Sequence, residues 1–173
     1  MSTESIPLNN KLALTYGAIL LRLWLAIRAI QTGLEKFSGT RIADKAVTVD
    51  GAVNEYGLSA ASATKQYALA NYSGVPDALM DKFQAEPLMM SFGLKIYDWI
   101  LGPALILLGI TILLGVASRT SLFLLGLLYI SLTWGLILIN QNDGVAWLGT
   151  HMVLVALALM LAENNRFTLT KKW

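Results

Sequence analysis

Residues 12–36 read LALTYGAILLRLWLAIRAIQTGLEK. The stretch is long and apolar enough to cross a bilayer, at about 1.5 Å of helix per residue. Yet Arg22 stands near its middle and Arg28 near its far end. An arginine facing lipid at midplane costs roughly 2.5–3.5 kcal/mol on insertion scales. Arg22 therefore has to face protein, a cavity or a bound polar group, and the rest of the chain has to supply those surroundings.

The composition agrees with a membrane solvent. Of 173 residues, 55% are hydrophobic and 14% charged, against roughly 25% charged in soluble domains, and mean hydropathy is +0.58. A single membrane domain over residues 1–173 is expected. The net charge of +2 gives no basis for nucleic-acid binding. With no cysteine, disulfides, thiolate nucleophiles and iron–sulfur clusters are excluded. His151 is the one histidine, so bis-histidine haem within the subunit is excluded too, and no metal or haem site is expected in the chain. The N-terminal apolar run holds two arginines and no small-residue cleavage pattern, unlike a cleavable signal.

Four spans follow from hydropathy: about 12–33, 97–116, 120–139 and 145–161. The expected fold is an all-α membrane protein, a four-transmembrane-helix bundle with a long extracytoplasmic loop at about 34–96 between helices 1 and 2. Pro76 is expected to open a short helix over 76–83 within that loop. Gly102-Pro103 is expected to kink the second span or start its regular part. The residues after 163 read as a basic interfacial tail. Lys11, Arg119, Arg166, Lys171 and Lys172 lie close together on the side of the termini. Basic residues in short segments mark the cytoplasmic face, so both termini are expected in the cytoplasm.

On a helical wheel Ala18, Arg22, Ala26, Ala29, Gly33 and Lys36 share one face, and small residues of this kind mark close packing in membranes. Arg28 falls in another sector, where stacking on Trp24 and reaching Glu35 would make it an interface anchor. Gly144, Trp147, His151, Val155 and Ala158 form a second small-residue face. Ser131, Trp134, Leu138 and Gln141 form a third, and Asp98 and Asp143 stand at the rim. Polar groups thus gather in the outer half of the expected bundle. An imidazole, two guanidinium groups and an indole in greasy surroundings suit a lipid-soluble molecule with polar ends, such as a quinone. On this reading His151 and Arg22 carry the chemistry, the imidazole shuttling protons and the guanidinium stabilising the charge formed on reduction. Arg22, Arg28, Lys36, Trp134, Asp98 and Asp143 hold the quinone or an incoming oxyanion. The competing reading is purely structural: His151 bonds a backbone carbonyl, Arg22 pairs with Asp98 or Asp143, and the network fixes helix register.

Arg22-Leu23 followed by Gly33-x-x-Lys36-Phe37 resembles the signature of the DoxX/DoxD-like membrane proteins. The likeness covers the membrane part of the chain and reaches Arg22, Gly33 and Lys36 by position. It implies a short four-span protein of a bacterial or archaeal inner membrane, similar to the membrane subunit of a thiosulfate:quinone oxidoreductase. A quinone would then be its substrate, and thiosulfate a donor. The insertion after the first span departs from the shortest members and favours a protein partner at the external loop. The alternative is a non-catalytic accessory subunit of a larger respiratory or photosynthetic complex, docking through that loop.

Overall fold

The computed structural model describes residues 8–49, 52–53, 56–165 and 168–170. Among them the chain is mostly helical, and four helices are long and apolar enough to cross a membrane. These are α1 (Leu8–Glu35), α3 (Ser91–Leu114), α4 (Ser118–Leu138) and α5 (Asn142–Met160). A multi-pass membrane protein is the architecture these lengths define. Their outward faces carry large exposed apolar residues, among them Leu20, Ile27, Leu107, Phe123, Ile130 and Val153, a surface compatible with lipid contact.

α1 packs most extensively on α3, and α4 on α5. The small residues expected on one face of α1 are the reason. A Cβ on Gly33 would lie 2.6 Å from Ile106 Cγ1, and one on Gly109 would lie 2.6 Å from Ile30 Cγ1. Glycine at these positions lets two backbones approach where any side chain would hold them apart. The core between the helices holds Leu25, Ala26 and Ala29 of α1, Leu105 and Ile112 of α3, Leu122, Leu125 and Tyr129 of α4, and Val155 of α5. Gly115 ends α3 at φ 69° in the left-handed region, the usual helix-ending conformation, and α4 starts three residues later. The start of α1, this turn and the end of α5 therefore share one side, here the terminal side. The opposite side is the loop side.

The segment between α1 and α3, expected as a long loop with one short helix, also contains strands. Strand β1 (Ser38–Ala46) pairs antiparallel with β4 (Ser59–Tyr67), from Ser38↔Tyr67 to Ala46↔Ser59. The two-residue strands β2 (Thr48–Val49) and β3 (Ala52–Val53) pair beyond them. The all-α expectation is corrected to this extent. Helix α2 (Asp77–Ala85) follows Pro76 and buries Phe83, close to the helix expected at 76–83. α3 begins at Ser91, six residues before the expected boundary at 97. Of the expected basic tail, Arg166, Lys171 and Lys172 lie outside the described residues.

Pro103 lies inside α3, which continues past it to Leu114. Proline has no N–H to give the carbonyl of Trp99 four residues earlier. Tyr72 supplies the missing donor: its hydroxyl lies 2.6 Å from the Asp98 carbonyl and 3.0 Å from that of Trp99, and it accepts from the Gly102 N–H at 3.2 Å. Gly102 makes room, since a Cβ there would stand 2.6 Å from the Tyr72 ring. The Gly102-Pro103 pair is thus the point where the connecting segment is pinned to the membrane helices.

Candidate functional site

Lys36 follows α1 directly, and its carbonyl accepts from the Ser73 N–H at 2.8 Å. The Val75 N–H donates to Asp98 Oδ1 at 2.6 Å. Gly74 between them lies so close to α3 that a Cβ would overlap the Asp98 carbonyl oxygen, at 1.9 Å. Residues 72–75 are therefore held flat against the start of α3, and α2 is placed over the ends of α3 and α4. Val75, Phe83 and Leu94 form a small buried core there.

Beside that core a cavity of about 320 Å³ opens on the loop side. Its walls are mostly apolar, with Leu79, Met89, Leu101 and Leu132 among them, and its polar groups are few: Lys36, Tyr97, Ser131 and Trp134. This is the composition of a small-molecule pocket. The Ser131 hydroxyl donates to the Leu128 carbonyl at 2.7 Å, so in the 2.9 Å contact between Tyr97 Oη and Ser131 Oγ the tyrosine is the donor and keeps lone pairs to offer. Trp134 is 61% exposed and stands at the mouth. Among the described residues the Lys36 ammonium makes no hydrogen bond or ion pair. Burial pushes its pKa down, and the Asp98 carboxylate draws it part of the way back. The pocket thus places a cation whose charge is opposed by burial beside an apolar wall.

The residues expected in one outer cavity fall into separate places. Lys36 and Trp134 share the pocket, and Asp98 anchors its wall. Arg22 and His151 do not line it. Arg22 is 6% exposed and its Nη1 donates to Asn165 Oδ1 at 2.6 Å; Asn165 in turn contacts Ser118 Oγ at 3.5 Å. Both partners belong to the terminal side, which corrects the placement of Arg22 in the outer half. The physical reason is that a helical side chain leans toward its own N-terminus, here away from the loop side. His151 is 5% exposed, and its Nδ1 lies 3.0 Å from the Trp147 carbonyl. A carbonyl only accepts, so Nδ1 carries the proton and donates. Tyr129 and Trp147 flank the imidazole, with centroids at 5.8 and 5.1 Å. Arg28 stacks over Trp147 at 5.6 Å and donates to Gln31 at 2.8 Å. Trp24 and Glu35 are the expected partners; the guanidinium instead lies over the α5 indole, and Glu35 is engaged by Lys65 and Tyr67. Asp143 is exposed in the first turn of α5, where negative charge complements the helix dipole.

Sequence reasoning gives Tyr97 and Met89 no place in the site, while it puts Ser131 on the Trp134 face. Ser131 and Trp134 stand three residues apart on α4, the spacing of one helical face, and that signal was present. Met89 becomes a wall only because α2 folds back. Among the described residues no group of three or more His, Cys, Asp or Glu is placed to hold a metal. No protein-family model, curated protein or solved structure matches the chain.

Proposed function

We propose that this chain is the membrane subunit of a quinone-linked redox system, and that the loop-side pocket holds the quinone head. In this reading the four helices form a bundle in a bacterial or archaeal inner membrane, with the termini cytoplasmic and the segment between α1 and α3 outside. The single observation that carries it is Lys36: a cation without a hydrogen-bond partner among the described residues, facing an apolar pocket with a tyrosine hydroxyl and an indole. The resemblance of Gly33-x-x-Lys36 to the DoxX/DoxD-like proteins supports the same residue from a separate direction.

The chemistry follows from the groups present. A quinone gains two electrons and two protons on reduction. Lys36 would hold the carbonyl oxygen on which negative charge develops, and its lowered pKa makes it a readier proton donor than a free lysine. Trp134 would stack at the mouth. For the candidate donor, two thiosulfate ions would join through a new S–S bond as tetrathionate and release the two electrons, with the protons drawn from Lys36 and water. The electrons would pass directly or through a partner subunit, since a chain without cysteine holds no thiolate-bound cluster. Arg22 and His151 keep a supporting role in this version. The test is a titration of the purified chain with a short-chain quinone, followed by thiosulfate-dependent reduction of the same compound. Lys36→Met should weaken binding about tenfold, the effect of losing one hydrogen bond to a charged group. Equal affinity in the wild type and in Lys36→Met would end the assignment.

The hairpin favours a second reading, an accessory subunit docking through its external segment. β1 and β4 are almost entirely exposed, and a two-stranded hairpin alone is marginal in water. A partner that covers it would co-purify at fixed stoichiometry and be lost when residues 40–65 are replaced by a short linker.

A further inference from the structure

Arg28 belongs to neither the pocket nor the Arg22 contact. It stands on α1 where α5 crosses, seven residues before the helix end at Glu35, so about 10 Å along the axis from the loop-side end. The bond from Nη1 to Gln31 Oε1 turns the guanidinium one turn toward the loop side, against the default lean of a helical side chain. Its flat face lies over the Trp147 indole. Its Nε is buried and has no hydrogen-bond partner. Among the described residues no carboxylate lies within ion-pair distance of it. Both Gln31 and Trp147 are exposed, so the cluster opens outward between the two helices.

A guanidinium has five N–H donors in a planar fork, and such a fork matches a phosphate oxygen pair better than any neutral partner. Charges within spanning helices are held by counter-charges or by carbonyls, or they face a ligand. Here stacking and one amide satisfy part of the fork and leave the rest without a counter-charge. We infer that the α1–α5 face at Arg28 binds a phosphate-type oxyanion, carried by the headgroup of an anionic phospholipid or free in solution. Arg28 supplies the charge, Gln31 sets the direction of the fork, and the exposed Trp147 N–H, which has no hydrogen bond among the described residues, adds a donor at the interface. The inference stands apart from the quinone pocket, which Arg28 does not line.

The experiment compares lipid retention by native mass spectrometry of the full chain in neutral detergent. Phosphatidylglycerol, phosphatidylcholine and inorganic phosphate are added in separate arms. Arg119→Gln, which removes an exposed arginine on the terminal side, controls for net charge. The wild type and Arg119→Gln should prefer phosphatidylglycerol over phosphatidylcholine by about tenfold, as one charge-assisted contact implies. Arg28→Gln should abolish the preference, and Arg28→Lys, which keeps the charge and loses the fork, should fall between. If inorganic phosphate at millimolar concentration competes the lipid off, the site takes the free oxyanion as well. If phosphate leaves the lipid in place, the headgroup is the ligand. If Arg28→Gln does not fold, Arg28→Lys decides alone. A preference unchanged in either Arg28 variant, or absent in the wild type, overturns the site.

Discussion

α1 carries a buried cation, Arg22, near its middle, a half-buried one, Lys36, follows its loop-side end, and the structure treats them differently. At the terminal side Arg22 is enclosed, with Asn165 Oδ1 accepting a hydrogen bond from it and Ser118 behind. At the loop side Lys36 faces a cavity of about 320 Å³ and leans on Asp98 only through space. The difference comes from what the chain lays across each end. Residues 162–165 fold under the helices and bring a side-chain amide to Arg22. Residues 72–90 arch over α3 and α4 without filling the gap beneath. A buried charge is thus evidence of function only when nothing nearby has been arranged to satisfy it.

Both ends depend on the close contact between α1 and α3. Gly33→Leu should cost about 3 kcal/mol, because overpacking at a backbone-to-backbone contact forces α1 and α3 apart. Denaturant titration in mixed micelles measures it. Arg22→Leu should cost about 2 kcal/mol through the lost charge-assisted bond and the amide left behind, while quinone affinity stays within about twofold. A large loss of affinity with intact folding would erase the distinction between the two ends. Lys36→Met should do the opposite, lowering affinity about tenfold while moving stability by about 0.5 kcal/mol or less. Tyr72→Phe should cost about 1 kcal/mol by leaving the Trp99 carbonyl beside Pro103 without a donor.

The pH response sharpens the same contrast. The Lys36 pKa is lowered below its ordinary 10.5 by burial. Unfolded chains then hold more protons than folded ones between the lowered value and 10.5. Stability accordingly rises with pH across that window, since the cost of burying the ammonium is present below it and relieved above. Affinity for a ligand held by the cation falls across the same window. Opposite slopes of stability and affinity, both removed in Lys36→Met, are the expected signature.

Much of this fold could be read from residue pattern. Hydropathy placed the four spans, and the small-residue face of α1 is the buried one, with Ala18, Ala26 and Ala29 at 4% exposure or less. The hairpin could not be read from periodicity. β1 reads SGTRIADKA and β4 SAASATKQY. Neither face is buried, so no alternation is imposed, and β-branched and aromatic residues are sparse. Asp50-Gly51, a common short-hairpin dipeptide, stands in sequence between β2 and β3, outside the described residues. The site was legible in part. Lys36 and Trp134 stand out by residue type and helical face, and both line the pocket. Their neighbour Tyr97 was hidden because α3 starts earlier than its apolar run. Arg22 and His151 were grouped with them by depth along a wheel, which carries no information on which way a long side chain leans or on what a returning tail brings to it.

Photolabelling with an azido-quinone reads directly whether the proposed quinone head occupies the loop-side pocket. The label should fall on peptides that contain Met89 or Trp134 and be competed away by unmodified quinone. Label that instead concentrates around Arg22 and His151, or that no quinone displaces, would rule out a quinone in that pocket.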